Sequence, residues 1–310
     1  MTIGVLLLTF GSAVTAADVP AYLSSVRGGR EVPRDVVDEF RHRYDVIGRS
    51  PLIEITLAQA SALQALLDEQ HGAGAFLVRA GMLHSEPRVP AAVADLVGHG
   101  ARTLVGVVLA PQYSPIILAG YERAAAAARE AHPGVDVHVA GAWHTVAEWI
   151  DSLSRRVSET LDSLPSPVAD APVIFTAHSL PRAVVDRDPS YIDQLRETAA
   201  AVAARAGIAA DHWQFAYQSA GHTPEPWLTP DVKDVLPALR DRGAGTVVVA
   251  PVQFLADHLE ILYDIDVAAA EEARALGIEM RRIQMPNASP ELIRALGAVV
   301  SREVAAANAR

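Results

Sequence analysis

The chain contains no cysteine, which excludes disulfides, iron–sulfur clusters, thiolate metal sites and cysteine nucleophiles. Any metal it handles must therefore meet nitrogen or oxygen ligands. It also lacks a Lys/Arg cluster, and its 26 basic residues are outnumbered by 37 acidic ones, for a net charge of −11. A phosphate-tracking surface is not expected from that balance, so nucleic acid is not expected as a partner. No apolar run approaches the roughly 18 to 20 residues that a membrane helix needs. The opening MTIGVLLLTFGS has no basic segment before its apolar run and no small-residue cleavage site after it. It reads as a buried first strand rather than a signal peptide, and the chain as cytoplasmic. Neither a G-x-S-x-G elbow nor an H-E-x-x-H pair occurs, which argues against a serine hydrolase and a zinc peptidase.

What is present is ordinary in composition: half the residues are hydrophobic and a fifth are charged. A chain of 310 residues at that composition has ample material for a core and is about two domains long. Short apolar runs recur at Ile3–Phe10, Ala75–Ala80, Thr103–Ala110, Val135–Ala140, Val173–Thr176, Trp213–Tyr217, Thr246–Ala250 and Glu279–Gln284. Most are continuous rather than alternating, as strands covered on both faces require. Ala/Leu/Glu/Arg-rich stretches between them, among them Ile55–Glu69, Tyr121–Ala131, Tyr191–Ala206 and Leu255–Leu276, read as helices. The alternation predicts an α/β fold of two similar Rossmann-like halves, each a doubly wound, parallel four-stranded sheet, facing a central cleft. The boundary falls at the Pro-punctuated SPVADAP, giving halves 1–165 and 166–310, with the last helix packing back on the first half. A weak internal repeat supports the division, since LLTFGS and IFTAHS end corresponding strands, as do VVLAPQYSP and VVVAPVQFL.

Ligands of open α/β sheets sit beyond the carboxyl ends of the strands, which directs attention to the residues just after each one. His178 ends VIFTAH and is followed by Ser179-Leu180-Pro181, so its imidazole is expected at a strand tip. A histidine there can accept a proton or bind a metal near neutral pH, and it can equally be an ordinary hydrogen-bonded loop residue. In ADHLEILYDIDVAAAEEARALG, the acids Asp257, Glu260, Asp264 and Glu271 fall within a sector of roughly 60° at the helical 100° per residue. That stripe reads either as a solvated face or as a carboxylate row leading a divalent cation toward His178. Gly28-Gly29-Arg30 is too short for a dinucleotide fingerprint and reads as a turn. His84 and Glu86 either serve the cleft or orient a loop.

Taken together, FTAHSLP, QSAGHTPEPWLTPDV and PVQFLADHLEILYD, with VRGGR, HRYDVIGRSPL and LAPQYS nearer the start, resemble the ferrochelatase family of the class II chelatases over essentially the whole chain. The resemblance implies insertion of Fe²⁺ into a porphyrin with release of two protons, in haem biosynthesis. It implies His178 as proton acceptor and metal ligand, Glu260 facing it across the macrocycle, and Asp264 as a further metal ligand. It carries the porphyrin pocket onto Phe10, Arg27, Arg43, Tyr44, Ser50, Tyr121 and Trp227, with the arginines suited to propionate carboxylates. Ferrous iron is then a substrate, no resident cofactor is expected, and the partners are porphyrin and iron taken up by a monomer. Coproporphyrin III and protoporphyrin IX both remain open as the porphyrin, the chain's bacterial character favouring the first. Departures from the family pattern fall at Phe10, where some relatives carry an iron-ligating Tyr, at Gln112 and His222, and at Ala268, which interrupts the acidic spacing. A chelatase for another metal and tetrapyrrole, and a non-catalytic porphyrin carrier, are the alternative readings.

Overall fold

The structure is a computed structural model that describes residues 2–165, 171–221 and 224–308. Its first sheet contains β1 (Ile3–Thr9), β2 (Phe76–Met82), β3 (Thr103–Val108) and β4 (Asp136–Val139), all parallel, in the order β2-β1-β3-β4. Its second contains β5 (Val173–His178), β6 (Trp213–Gln218), β7 (Thr246–Pro251) and β8 (Glu279–Arg282), parallel in the order β6-β5-β7-β8. The two orders are the same, so the sequence repeat corresponds to a repeat in structure, with β1 and β5 equivalent. Continuous burial explains the continuous apolar runs: every residue of β7 and five successive residues of β1 are buried, because helices cover both faces of each sheet.

Between β1 and β2 lie α1 (Val19–Val26), α2 (Arg34–Ile47) and α3 (Leu52–His71), followed by α4 (Val89–Gly98), α5 (Pro115–Ala131) and α6 (Ala147–Asp162). In the second half α7 (Arg182–Val185) and α8 (Ser190–Arg205) follow β5, α9 (Val232–Asp241) follows β6, and α10 (Ala270–Ala275) precedes β8. The final helix, α11 (Pro290–Asn308), packs against α3 and α6 of the first half. The approach to α3 is close: a Cβ on Gly297 would stand 2.9 Å from Leu66 Cδ2, so the Leu66 side chain would have to shift. One apolar cluster consequently runs through both halves, from Val5, Val107 and Trp149 to Phe175, Val248 and Leu292. Of the expected SPVADAP linker, residues 166–170 lie outside the described residues.

One helix differs from its sequence expectation. Leu255–His258 is loop, and Glu260–Ala269 is a π-helix, with α10 continuing it. Long π-helices are uncommon, and π segments concentrate at functional sites. Ile261, Ile265 and Ala269, at four-residue spacing, form its buried face. The acidic stripe drawn at 100° per residue therefore breaks up. Asp257 precedes the helix and pairs with Asn287, while Glu271 is exposed on α10.

In each sheet the strand order reverses between the central strand and its second neighbour, β1/β3 and β5/β7, the place where doubly wound sheets bind ligands. The carboxyl ends of the two sheets meet there. Gln112, after β3, donates to the Val252 carbonyl after β7 at 3.3 Å, and Ala13 and Tyr44 share an apolar cluster with Leu259 and Tyr263.

Candidate functional site

His178 is the last residue of β5, and its exposure is set by the strand ending there: Phe175 to Ala177 are fully buried while the imidazole is 27% exposed. Nδ1 lies against the Ser179 carbonyl, which leaves Nε2 as the ring nitrogen turned toward the π-helix. Nε2 stands 3.6 Å from Glu260 Oε1 at the start of the π-helix. The other carboxylate oxygen, Oε2, is 3.5 Å from His258 Nε2, whose Nδ1 is 3.0 Å from the Ala256 carbonyl. Glu260 is thus held between two imidazoles. Burial raises its carboxyl pKa, but His178, the hydrogen bond and charge of His258, and Arg43 outweigh that and hold it well below the usual carboxylate range. For His258 burial acts downward, and the hydrogen bond and charge of Glu260 overcome it to raise the imidazole.

Asp264 continues the row one turn along the π-helix. Its carboxyl is pushed up, by burial first and by the charge of Glu260, against a hydrogen bond from Ser219 and the charge of Arg43. Ser219 follows β6 with φ 59°, a strained conformation that turns its side chain toward that carboxylate. Arg43 arrives from α2 in the first half: its Nη1 is 3.3 Å from Asp264 Oδ1, its Nη2 pairs with Glu39, and its guanidinium lies 5.4 Å from the Phe40 ring centroid and 5.3 Å from that of Tyr263. The residue expected to meet a propionate is here committed to the acidic row. Beyond Asp264 a depression of about 170 Å³ opens between the π-helix and α9, lined by Ser219, Asp231, Lys233, Asp264, Ala268 and Glu272 among others. Where Ala268 interrupts the acidic spacing, Glu272 is the acid that reaches the depression, rather than Glu271.

The remaining expected residues fall into separate groups. Tyr44 and Ser50 are buried and joined through Ser12, whose hydroxyl is 2.9 Å from the Tyr44 hydroxyl and 3.0 Å from that of Ser50. Tyr121 is buried on α5. Burial raises both phenols, so they remain neutral. Phe10 lies just beyond β1, 43% exposed, with its ring 4.5 Å from that of His84. Burial and the Arg88 charge hold the His84 imidazole below its ordinary value. Arg27 is exposed at the end of α1, where Gly28 and Gly29 form the expected turn. Trp227 lies against Gly221, where an added Cβ would come 2.4 Å from its ring. Gln112, one of the departures from the family pattern, is buried between the halves, donating to Thr198 Oγ1 at 3.0 Å. His222 lies outside the described residues.

Two participants were missed by sequence reasoning. His258 sits two residues from Glu260, and only its position in a loop before the helix, not on an α-helical face, brings its ring back to that carboxylate. Gln253, two residues after β7, accepts the backbone N–H of His178 at 2.8 Å, a contact with no sequence signal. Chemically, the arrangement offers a basic imidazole nitrogen beside an ionised carboxylate, with further oxygen donors leading outward. It suits proton removal next to a hard or borderline divalent cation.

The ferrochelatase family profile matches residues 2–304. Among curated relatives, the ferrochelatase of Deinococcus radiodurans is 37% identical over 307 residues, 98% of this chain and 96% of that protein. The coproporphyrin III ferrochelatase of Geobacillus thermodenitrificans is 36% identical, with 98% of this chain and 96% of that one covered. That of Bacillus subtilis is 34% identical, with 97% of each chain covered. Among solved structures, SirB from Bacillus subtilis with Fe³⁺ superposes with a TM-score of 0.62 at 14% identity, covering 100% of this chain and 98% of that one. At that identity the likeness speaks for the fold, two parallel sheets flanked by helices.

Proposed function

The chain belongs to the ferrochelatase family and is an enzyme that inserts ferrous iron into a porphyrin in haem synthesis; on that premise we propose that His178 and Glu260 carry the reaction and that the porphyrin is coproporphyrin III. The observation that carries the first part is His178 Nε2 standing 3.6 Å from the Glu260 carboxylate at the tip of β5. A free-base porphyrin presents two inward N–H groups, and both protons must leave as Fe²⁺ enters. His178 takes one pyrrole proton at Nε2, the adjacent carboxylate stabilising the imidazolium that results, and passes it by way of the Glu260 and Asp264 carboxylates to solvent before taking the second the same way. Ferrous iron, the other substrate, approaches along oxygen donors, with Asp264 and Glu260 in sequence. Iron selectivity then comes from geometry and supply, since an N/O donor set intrinsically prefers copper or zinc. No resident cofactor is needed, and the enzyme works as a cytoplasmic monomer.

The second part is supported by relatives named coproporphyrin III ferrochelatases at about one-third identity over nearly the full chain. Coproporphyrin III carries four propionates, and Arg27, exposed beside the glycine turn, is a guanidinium suited to one of them. The test is anaerobic mixing of the purified protein with Fe²⁺ and either coproporphyrin III or protoporphyrin IX, followed by absorbance. The expected result is a higher kcat/KM for coproporphyrin III; a preference for protoporphyrin IX overturns the substrate assignment.

A further inference from the structure

We propose that Gln253 is the positioning residue of His178, the side chain that sets where the imidazole stands opposite Glu260; this rests on His178 being the proton acceptor. Pairing between β5 and β7 ends at Thr176 and Pro251, after which Val252 N still donates to the Thr176 carbonyl at 2.9 Å. Continued in register, a parallel ladder would offer the Val252 carbonyl to the His178 N–H. That carbonyl is instead taken by Gln112 Nε2, 3.3 Å away, so β7 turns off and the His178 N–H is left without a strand partner. A buried backbone donor must be satisfied. Gln253 Oε1 does this at 2.8 Å, so one side chain replaces the missing strand.

The other end of the same amide is anchored as firmly. Gln253 is 6% exposed, and its Nε2 donates to the Tyr191 hydroxyl on α8 at 2.6 Å. Tyr191 is 1% exposed, and α8 is itself tied to the first half: Gln194 Oε1 accepts from Tyr113 N at 2.7 Å, and Glu197 is 3.0 Å from His144. With both ends engaged, the amide plane cannot rotate, and the peptide of His178 is fixed at the crevice between β5 and β7. Because the ring is locked locally by Nδ1 against the Ser179 carbonyl, the position of the peptide determines the position of Nε2. A leucine or methionine would fill this apolar space without the cost of burying an amide. Neither could make the two hydrogen bonds that the glutamine makes.

The test compares Gln253→Leu, Gln253→Glu and Tyr191→Phe with wild type and His178→Ala in the metal-insertion assay, with porphyrin affinity measured separately by fluorescence quenching. Gln253→Leu is expected to lower kcat by about tenfold or more with KM for porphyrin changed less than about twofold, since a misplacement of about 1 Å costs up to about a hundredfold. Gln253→Glu keeps an acceptor for the His178 N–H and accepts from the Tyr191 hydroxyl, so it should recover most of kcat. Tyr191→Phe, which removes only the outer anchor and almost no volume, should lose kcat by a few-fold. Wild-type kcat in Gln253→Leu, a loss expressed in KM, or a Gln253→Glu no better than Gln253→Leu would each overturn the proposal. Activity retained in His178→Ala would instead remove the reading on which it rests, so the two failures are distinguishable.

Discussion

At the residue scale, Glu260 carries opposing electrostatic demands: burial disfavours its charge, while His178, His258 and Arg43 favour it and prevail. The same contact raises His258 against its own burial. The two shifts have opposite pH dependence. The stabilisation from Glu260 is present above its unfolded value of 4.5 and fades as pH falls through its depressed folded value. That from His258 is complete below its unfolded value of 6.5 and fades as pH rises through the raised folded value. Their interaction is therefore strongest between about pH 4.5 and 6.5. Glu260→Gln removes the charge that opposes desolvation, so the His258 titration followed by NMR should move downward. A His258 titration unchanged in that variant would mean the pair does not interact. His178 and Glu260 were legible because a strand tip and the FTAHSLP and DHLE motifs marked them. His258 and Gln253 were not, because their roles arise from where a loop folds back rather than from any periodicity.

The π-helix is the element that sets which acids of the sequence pattern share a face. Projected as an α-helix, its segment seemed to align Asp257, Glu260, Asp264 and Glu271; wound as a π-helix, it keeps Glu260 and Asp264 in line and discards the other two. All eight strands were recoverable from their continuous apolar runs, with ends displaced by a few residues, because two-sided burial leaves a strong compositional signal. The π winding leaves none, since it depends on tertiary contacts at its start. Arg282, on β8, is prominent among them: it is 3.2 Å from Asp257 just before the helix and 2.7 Å from Asp266 within it. Its side chain is 15% exposed, and Asp257 is held in turn by Asn287, each donating to the other at 2.8 Å. Arg282→Ala leaves two carboxylates without their cation and should cost about 1 to 3 kcal/mol, read from urea unfolding at neutral pH. No change in the urea midpoint would show that the helix start is held by other contacts.

At the scale of the whole molecule, the repeated sheets do not make two independent bodies. The largest apolar cluster draws residues from both, α11 lies on α3 and α6, and polar ties join the halves at Gln59 to Asn287, Arg43 to Asp264 and Arg155 to Glu291. Calorimetry should therefore record one cooperative transition, with calorimetric and van't Hoff enthalpies equal; two resolved transitions would contradict a shared core. The division into halves was visible in the sequence repeat, and the return of the last helix to the first half was expected, whereas one core through both was not, because apolar residues do not announce their partners. That fusion matters for the chemistry, since it brings the end of β5, the π-helix and Arg43 of the first half to one place. The most direct measurement is the anaerobic rate of Fe²⁺ insertion into porphyrin by wild type, His178→Ala and Glu260→Gln, with porphyrin binding verified for each. The account predicts a loss of orders of magnitude for His178→Ala and a strong reduction for Glu260→Gln, with binding retained; equal rates in wild type and His178→Ala would contradict it.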